Sequence, residues 1–174
     1  KMTSMSSEPY LSVIIPAYNE EKRIGKMLDV VSGYLKKQEF LSEIIVVSGG
    51  STDRTAEVVR EKAGRLASQK ATLSVAAAIP NLSIIEQTRQ ENRGKGEAVK
   101  IGMLRAAGKI RLFTDADNST DISHFDKMRS YFDEGYEVAV GSRHPWDAPG
   151  ARQAVSQPFY KRLLGMTGNL FIQL

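Results

Sequence analysis

The sequence predicts a three-layer α/β/α sandwich built on a mainly parallel β-sheet. Short apolar segments rich in Val and Ile recur along the chain, and segments with the apolar spacing of a helix lie between them. Several of the apolar segments have no polar face, which is typical of strands that helices cover on both sides. Strands that alternate with helices in this way form a parallel sheet.

Five segments are predicted strands because each is apolar and rich in β-branched or aromatic residues. They are residues 11–15 (LSVII), 43–47 (EIIVV), 82–86 (LSIIE), 109–114 (KIRLFT) and 136–140 (YEVAV).

A helix is predicted after each of the first four strands. The clearest has apolar residues that recur at three and four positions: Ile24, Met27, Leu28, Val31 and Leu35. The next contains Val58, Val59 and Ala63, with Thr52 or Asp53 as its N-cap. A third contains Ala98, Ile101, Met103 and Leu104, and a fourth contains Phe125 and Met128, with Asp121 as its cap. Residues 65–81 are predicted to be a helix end followed by a variable loop.

Composition restricts the class of protein. The chain has 174 residues, enough for one well-buried domain, with 41% hydrophobic and 25% charged residues. It has no cysteine, which excludes disulfides and thiolate metal sites in this sequence. No apolar run approaches the roughly 20 residues of a membrane-spanning helix.

Positive charge is concentrated in the last part of the chain. Of a net charge of +4, residues 143–174 contribute +3, from four cations and the single carboxylate of Asp147. Such a basic end is a solvated face, or it contacts phosphate or an anionic membrane surface. Nucleic acid is not an expected partner, because aromatic residues are sparse and no nucleic-acid-binding motif is present.

Polar, turn-rich loops follow three of the predicted strands: residues 16–20 (PAYNE), 48–53 (SGGSTD) and 114–119 (TDADNS). The carboxyl ends of parallel strands meet at one edge of the sheet, where ligands of such folds bind. Asp115 and Asp117 alone would indicate only a strand-ending turn. Their place beside two other polar loops favours a functional site.

Two common phosphate-binding patterns do not fit this sequence, and a third fits only in part. Residues 16–20 lack the glycines of a dinucleotide-binding loop, and Gly94-Lys95 has Arg89 where a P-loop requires glycine. A phosphatase of the haloacid dehalogenase type also has Asp-x-Asp after a strand. That strand is normally the first of the domain, with Thr or Val where this chain has Ser119, so this class remains a distant alternative.

Two carboxylates one residue apart are suitable ligands for Mg²⁺ or Mn²⁺, which prefer oxygen and complete their shell with substrate phosphates and water. Such an ion would neutralise a diphosphate leaving group. Gly49 and Gly50 would allow the backbone to approach a nucleotide closely. Lys95, at a predicted helix start, is placed to reach a phosphate.

Five segments follow one another along the chain: LSVIIPAYNEEKRI, EIIVVSGGSTDRTAEVV, NRGKGEAVKIGMLRAAG, RLFTDADNST and VAVGSR. In this order they resemble the family 2 glycosyltransferases of GT-A fold, and more narrowly the dolichyl- or polyprenyl-phosphate sugar transferases of the dolichyl-phosphate glucosyltransferase or mannose synthase type. The resemblance extends from residue 11 to about residue 174.

The resemblance implies transfer of a hexose from a nucleotide-diphosphate sugar, of the UDP-glucose or GDP-mannose type, to a polyprenyl phosphate. It implies Mg²⁺ or Mn²⁺ at Asp115 and Asp117, with Asp117 and Arg143 as catalytic residues and Arg143 near the acceptor phosphate. It also implies nucleotide-sugar contacts by Pro16, Ala17, Tyr18, Glu20, Gly49, Gly50, Lys95 and Asp115. Two alternatives remain open: transfer to a sugar hydroxyl in polysaccharide synthesis, and nucleotide binding without transfer.

The chain departs from the family pattern at two places. Ser48 and Gly49 stand where the family usually has two aspartates, the second of which commonly contacts the nucleotide. Asp53 is predicted to be a helix cap and not a replacement for them. Ser119 stands where some members have a further metal ligand, and water is expected to fill that position.

The domain boundaries are expected as follows. Residues 1–10 are a disordered or vector-derived start, and residues 11–174 are a GT-A catalytic domain truncated at the acceptor side. The apolar stripe that begins at Phe159 lies in the core or on a membrane surface. The expected location is the cytoplasm, at the cytoplasmic face of a membrane.

Overall fold

The structure is a computed structural model that describes residues 8–72, 79–91 and 93–141. Within these residues strands and helices alternate as predicted. In chain order they are β1 (Leu11–Ala17), α1 (Ile24–Leu35), β2 (Ser42–Gly49), α2 (Thr55–Thr72), β3 (Asn81–Gln87), α3 (Lys95–Arg105), β4 (Ile110–Phe113) and α4 (His124–Asp133).

The four strands form one sheet in the order β3-β2-β1-β4, and every neighbouring pair is parallel. The connections from β1 to β2 and from β2 to β3 run in the same direction across the sheet, whereas the connection from β3 to β4 runs in the opposite direction. With right-handed crossovers, α1 and α2 therefore lie on one face of the sheet and α3 lies on the other. In agreement, α1 contacts α2, while α3 contacts β1 and β2. The predicted α/β/α architecture with a parallel sheet is confirmed.

The core lies where the sequence is apolar on both strand faces. All seven residues of β1 are buried, and so are seven of the eight residues of β2. The predicted stripe of α1, from Ile24 to Leu35, is buried as well. Burial of these side chains removes apolar surface from water, which is the main favourable term in folding.

Close packing of α3 on the sheet depends on Gly102. A Cβ atom at Gly102 would lie 2.4 Å from Cγ2 of Ile14 and 3.3 Å from Cγ2 of Val47. The absence of a side chain therefore allows α3 to lie directly on β1 and β2. This contact fixes the position of the helix whose first residue is Lys95.

The predicted fifth strand is wrong. Residues 136–140 follow the end of α4 but form no strand, and Val138 and Val140 are 76% and 83% exposed. A β-branched run forms a strand only where it can pair and pack, and residues 136–140 pair with no strand within the described part of the chain. The helix end predicted within residues 65–81 is confirmed, since α2 continues to Thr72; the loop predicted after it falls mainly on residues 73–78, which lie outside the described residues.

Candidate active site

A cleft of about 370 Å³ lies at the carboxyl ends of β1, β2 and β4 and the amino end of α3. The parallel sheet brings these ends together, since Ala17 lies opposite Ser48 and Ile14 lies opposite Phe113. The cleft is lined by Pro16, Ala17, Tyr18, Glu20, Gly49, Gly94, Lys95, Ala98, Asp115, Ala116 and Asp117.

Most of the residues predicted for the site line this cleft. Gly50 does not, and Arg143 lies outside the described residues. Gly50 has φ +69°, and a Cβ there would lie 2.9 Å from the backbone N and Cα atoms of Arg89. Its lack of a side chain therefore permits the close approach of the chain after β3. Glycine also adopts this left-handed backbone conformation without the steric strain that a Cβ atom would cause.

Asp115 follows β4 and forms an ion pair with Lys95, the first residue of α3. The Lys95 ammonium also lies 5.9 Å from the centre of the Phe113 ring, within range of a cation–π contact. Both charged side chains are partly exposed, 56% for Lys95 and 41% for Asp115. The pair thus lies at an accessible part of the cleft.

Asp117 is both a turn residue and a cleft residue. Its Oδ1 accepts a hydrogen bond of 2.9 Å from the Ser119 amide, and Asn118 between them has φ +57°. The bond from Ser119 is the main cause that lowers the pKa of Asp117 below its ordinary value of 3.8, and the charge of Arg23 lowers it further. A carboxylate that stays ionised at neutral pH is the form that binds a metal ion.

The loop after β1 is fastened to the start of α2. The Asn19 amide donates to Ser51 Oγ at 3.1 Å, and the Glu20 amide donates to Thr55 Oγ1 at 2.7 Å. The Glu21 amide donates to Asp53 Oδ2 at 3.0 Å. These bonds fix the segment that carries Tyr18 and Glu20 into the cleft.

The predicted role of Asp53 as a helix cap is confirmed by its hydrogen bonds. Its Oδ1 accepts from the Thr55 amide at 2.9 Å and from the Thr55 hydroxyl at 2.5 Å. Desolvation raises the pKa of Asp53, but the bonds from Thr55 and from the Glu21 amide together lower it below 3.8. Asp53 is therefore engaged at the helix start, in agreement with its assignment as a cap.

Ser48 is directed into the protein and not into the cleft. It is 2% exposed, and its hydroxyl donates to Ser51 Oγ at 2.9 Å. Gly49 lines the cleft without a side chain. At this wall of the cleft, Gly49 therefore presents only backbone, at a position where the family pattern usually has a carboxylate.

Arg23 is a residue that the sequence did not indicate. Its guanidinium binds both oxygens of Glu20, at 2.6 and 2.7 Å, and its positive charge reaches Asp117. Glu20 is thereby held in place with a side chain only 15% exposed. Three other residues that line the cleft were also not predicted from the sequence: Gly94, Ala98 and Ala116. Of these, Gly94 could have been found, because glycines flank Lys95 on both sides in the sequence; Gly94 has φ +93° at the start of α3.

The donor set of the cleft fits a hard divalent cation that shares its shell with substrate. Within the described residues no group of three His, Cys, Asp or Glu side chains could hold an ion alone. Two carboxylates, Asp115 and Asp117, do line the same cleft. Mg²⁺ is typically bound by one or two carboxylates together with substrate phosphates and water.

The chain matches the family model "Glycosyl transferase family 2" over residues 12–171. It is 41% identical to dolichyl-phosphate beta-glucosyltransferase ALG5A of Trichomonas vaginalis over 77% of this chain and 40% of that protein. It is 31% identical to dolichyl-phosphate beta-glucosyltransferase of Homo sapiens over 93% of this chain and 48% of that protein. The chain thus spans less than half the length of either relative.

Among solved structures, TarS 1–349 of S. aureus in complex with UDP-GlcNAc superimposes with a TM-score of 0.52. It is 23% identical, with coverage of 76% of this chain and 37% of that one. This similarity concerns the fold alone, and it confirms the GT-A fold. None of the helices in the described ranges is both long and apolar enough to cross a membrane.

Proposed function

Since this chain belongs to glycosyl transferase family 2, we propose that its cleft binds a nucleotide-diphosphate sugar and that the whole protein transfers the hexose to a polyprenyl phosphate. The observation that carries the proposal is the convergence of Asp115, Asp117 and Lys95 at the amino end of α3. Two carboxylates, one ammonium and a helix amino end together suit a diphosphate with its divalent cation.

Each wall of the cleft suits one part of such a donor. Tyr18 offers a half-exposed aromatic ring beside Pro16 and Ala17, which suits a nucleobase. Glu20 offers a carboxylate to a ribose hydroxyl while Arg23 fixes its orientation. The amino end of α3 and Lys95 provide positive potential for the diphosphate.

Asp115 and Asp117 would hold Mg²⁺ or Mn²⁺. The bound ion would neutralise the negative charge that develops on the leaving diphosphate. In the reaction an oxygen of the acceptor phosphate forms a bond to the anomeric carbon. The bond between that carbon and the diphosphate oxygen breaks, and its electron pair leaves with the nucleotide diphosphate. The residues of the cleft orient the donor for this displacement.

A phosphate acceptor fits the charge of the chain. A sugar hydroxyl is a poor nucleophile that requires a general base. A phosphate monoester is already anionic, with a second pKa near ~6, and requires cations that position it. Residues 143–174 contain four cations and a single carboxylate. Two relatives are named as dolichyl-phosphate beta-glucosyltransferases, and these names support a glucosyl donor and dolichyl phosphate as the acceptor. We propose UDP-glucose as the donor and the cytoplasmic face of a membrane as the place of the reaction.

The acceptor is tested in the full-length protein with a nucleotide hexose and either polyprenyl phosphate or an oligosaccharide. We expect transfer to polyprenyl phosphate, and we expect Arg143→Ala to raise the KM for that acceptor about tenfold or more, because a charged hydrogen bond to phosphate is lost. Arg65→Ala, on the exposed face of α2, is the control and should leave the KM unchanged.

Transfer to the oligosaccharide alone would contradict the proposal and support the sugar-hydroxyl alternative. If Arg143→Ala has the same KM for polyprenyl phosphate as the parent, Arg143 does not contact the acceptor phosphate. Nucleotide binding without transfer to either acceptor would support the non-catalytic alternative.

A further inference from the structure

Lys95 and a divalent cation require the same carboxylate. Lys95 Nζ is paired with Oδ1 of Asp115, and Asp115 is one of the two aspartates that line the cleft. A cation bound at Asp115 would therefore displace the ammonium or lie beside a like charge. Either event weakens the binding of the cation.

A diphosphate bound in the cleft would offer Lys95 an alternative partner. It is the first residue of α3, and it lines the cleft together with Gly94, which precedes the helix. The amino end of a helix attracts anions through its dipole and its unpaired amides. A diphosphate at this place would lie beside the Lys95 ammonium.

Within the part of the chain that the structure describes, Lys95 is not held to Asp115 by burial. The Lys95 side chain is 56% exposed, and its other described contact is with the half-exposed ring of Phe113. Exposed ion pairs contribute little free energy, because water competes with them. A doubly charged phosphate group can therefore take Lys95 from Asp115.

We propose that Lys95 makes the binding of the cation and of the nucleotide diphosphate depend on each other. While it is paired with Asp115, Lys95 opposes the cation. When the diphosphate binds, Lys95 pairs with phosphate, and Asp115 becomes available to the cation. This inference rests on the proposed function of the cleft and assigns to Lys95 a coupling role in addition to phosphate contact.

The coupling must act equally in both directions. If the diphosphate increases the affinity for the cation by some factor, the cation increases the affinity for the diphosphate by the same factor. Removal of the lysine charge should reduce this factor. It should also tighten binding of the cation alone and weaken binding of the diphosphate alone.

The test uses Mn²⁺ and UDP as probes, with free Mn²⁺ measured by electron paramagnetic resonance and UDP binding by calorimetry. Each Kd is determined in the absence and in the presence of the second ligand. In Lys95→Met we expect Mn²⁺ alone to bind about fivefold more tightly and the coupling factor to fall about fivefold. Lys95→Arg keeps the charge and should retain coupling close to that of the parent.

Lys100→Met is the matched control, because Lys100 is an exposed lysine of the same helix that does not line the cleft. It should bind both ligands as the parent does. If Lys100→Met reproduces the effect of Lys95→Met, the effect is one of net charge and the inference is wrong.

An unchanged coupling factor in Lys95→Met would also overturn the inference, while the proposed function would stand as long as the parent binds both ligands. A parent chain that binds neither UDP nor Mn²⁺ would overturn the proposed function and this inference with it.

Discussion

At the scale of single residues, Ser48 and Gly49 bear on the proposal that this cleft binds a nucleotide. Ser48 is buried and bonded to Ser51, and Gly49 presents only backbone to the cleft. If a nucleotide binds here as we propose, it would contact main-chain groups, the ring of Tyr18 or the carboxylate of Glu20 at this wall. A carboxylate restored at position 49 would add a charged acceptor for a donor group of the base or ribose.

Gly49→Asp should tighten binding of the preferred nucleotide diphosphate by about 1–2 kcal/mol, the free energy of one charge-assisted hydrogen bond. Calorimetric titration with UDP and with GDP, in the presence of Mn²⁺, measures the effect. Gly64→Asp places the same charge on α2, where a side chain meets no atom within 4 Å, and should change neither affinity. Unchanged or weaker binding in Gly49→Asp would show that the base is held by another route.

Residue chemistry also explains which site residues could be predicted. Asp115 and Asp117 were identifiable because two other polar loops end strands at the same predicted edge of the sheet, whereas the pair alone would have indicated only a turn. Arg23 was not identified, because its bonds to Glu20 depend on the turn between these two residues, in which the Arg23 amide donates to the Glu20 carbonyl. Gly50 looked like a place for a nucleotide, yet its nearest neighbour is the backbone of Arg89, a contact that depends on the parallel pairing of β2 and β3.

At the scale of secondary-structure elements, the start of α2 holds the loop that enters the cleft. Asp53 accepts hydrogen bonds from Thr55 and from the Glu21 amide, so one carboxylate joins the helix cap to that loop. Since these bonds lower the pKa of Asp53 below 3.8 in the folded protein, its contribution to stability is present above pH ~4 and is lost as the pH falls through the lowered pKa.

Asp53→Ala should lower the free energy of unfolding by about 1 kcal/mol at pH 7. The difference from the parent should shrink as the pH falls from 3.8 through the lowered pKa of folded Asp53, because the parent then becomes protonated and loses the same bonds. Urea unfolding of both proteins at pH 7 and near pH 3 measures this. Thr52→Ala removes the other predicted cap and should cost little at either pH; an equal cost for both variants would refute the assignment of Asp53 as the cap.

Two glycines test how α3 is positioned. Gly102→Ala should lower the free energy of unfolding by about 1–3 kcal/mol, because the new methyl group meets the buried Ile14 side chain at 2.4 Å. Gly33→Ala is the matched control, since a Cβ there meets no atom within 4 Å. It should raise the free energy of unfolding by about 0.5–1 kcal/mol. A stabilising Gly102→Ala would mean that α3 lies further from the sheet.

The elements themselves were predictable to different degrees. The stripe of α1 identified that helix because five buried side chains repeat with helical spacing, and the apolar faces of β1 and β2 identified central strands. Residues 136–140 have the same composition as a strand but are exposed at Val138 and Val140. Pairing depends on the place of a segment in the sheet, which local composition does not contain.

At the scale of the whole molecule, the parallel sheet explains why distant segments form one cleft. The order β3-β2-β1-β4 puts the loops after β1, β2 and β4 at one edge, although they are separated by up to about 100 residues in the chain. Packing of α3 on β1 adds Lys95 to the same edge. The fold thus brings together the two aspartates and the lysine that we propose bind a nucleotide diphosphate and its metal ion.

Paramagnetic broadening by Mn²⁺ in nuclear magnetic resonance spectra tests this most directly. With UDP and Mn²⁺ added, we expect the amide signals of Tyr18, Gly94, Ala116 and Asp117 to broaden most. The signal of Ser42, at the other end of β2 and roughly 20 Å away at ~3.3 Å per residue, should broaden far less. In Asp117→Ala, with an otherwise unchanged spectrum, this selective broadening should vanish. Broadening that is centred elsewhere, or that persists in Asp117→Ala, would contradict binding of the nucleotide and its cation in this cleft.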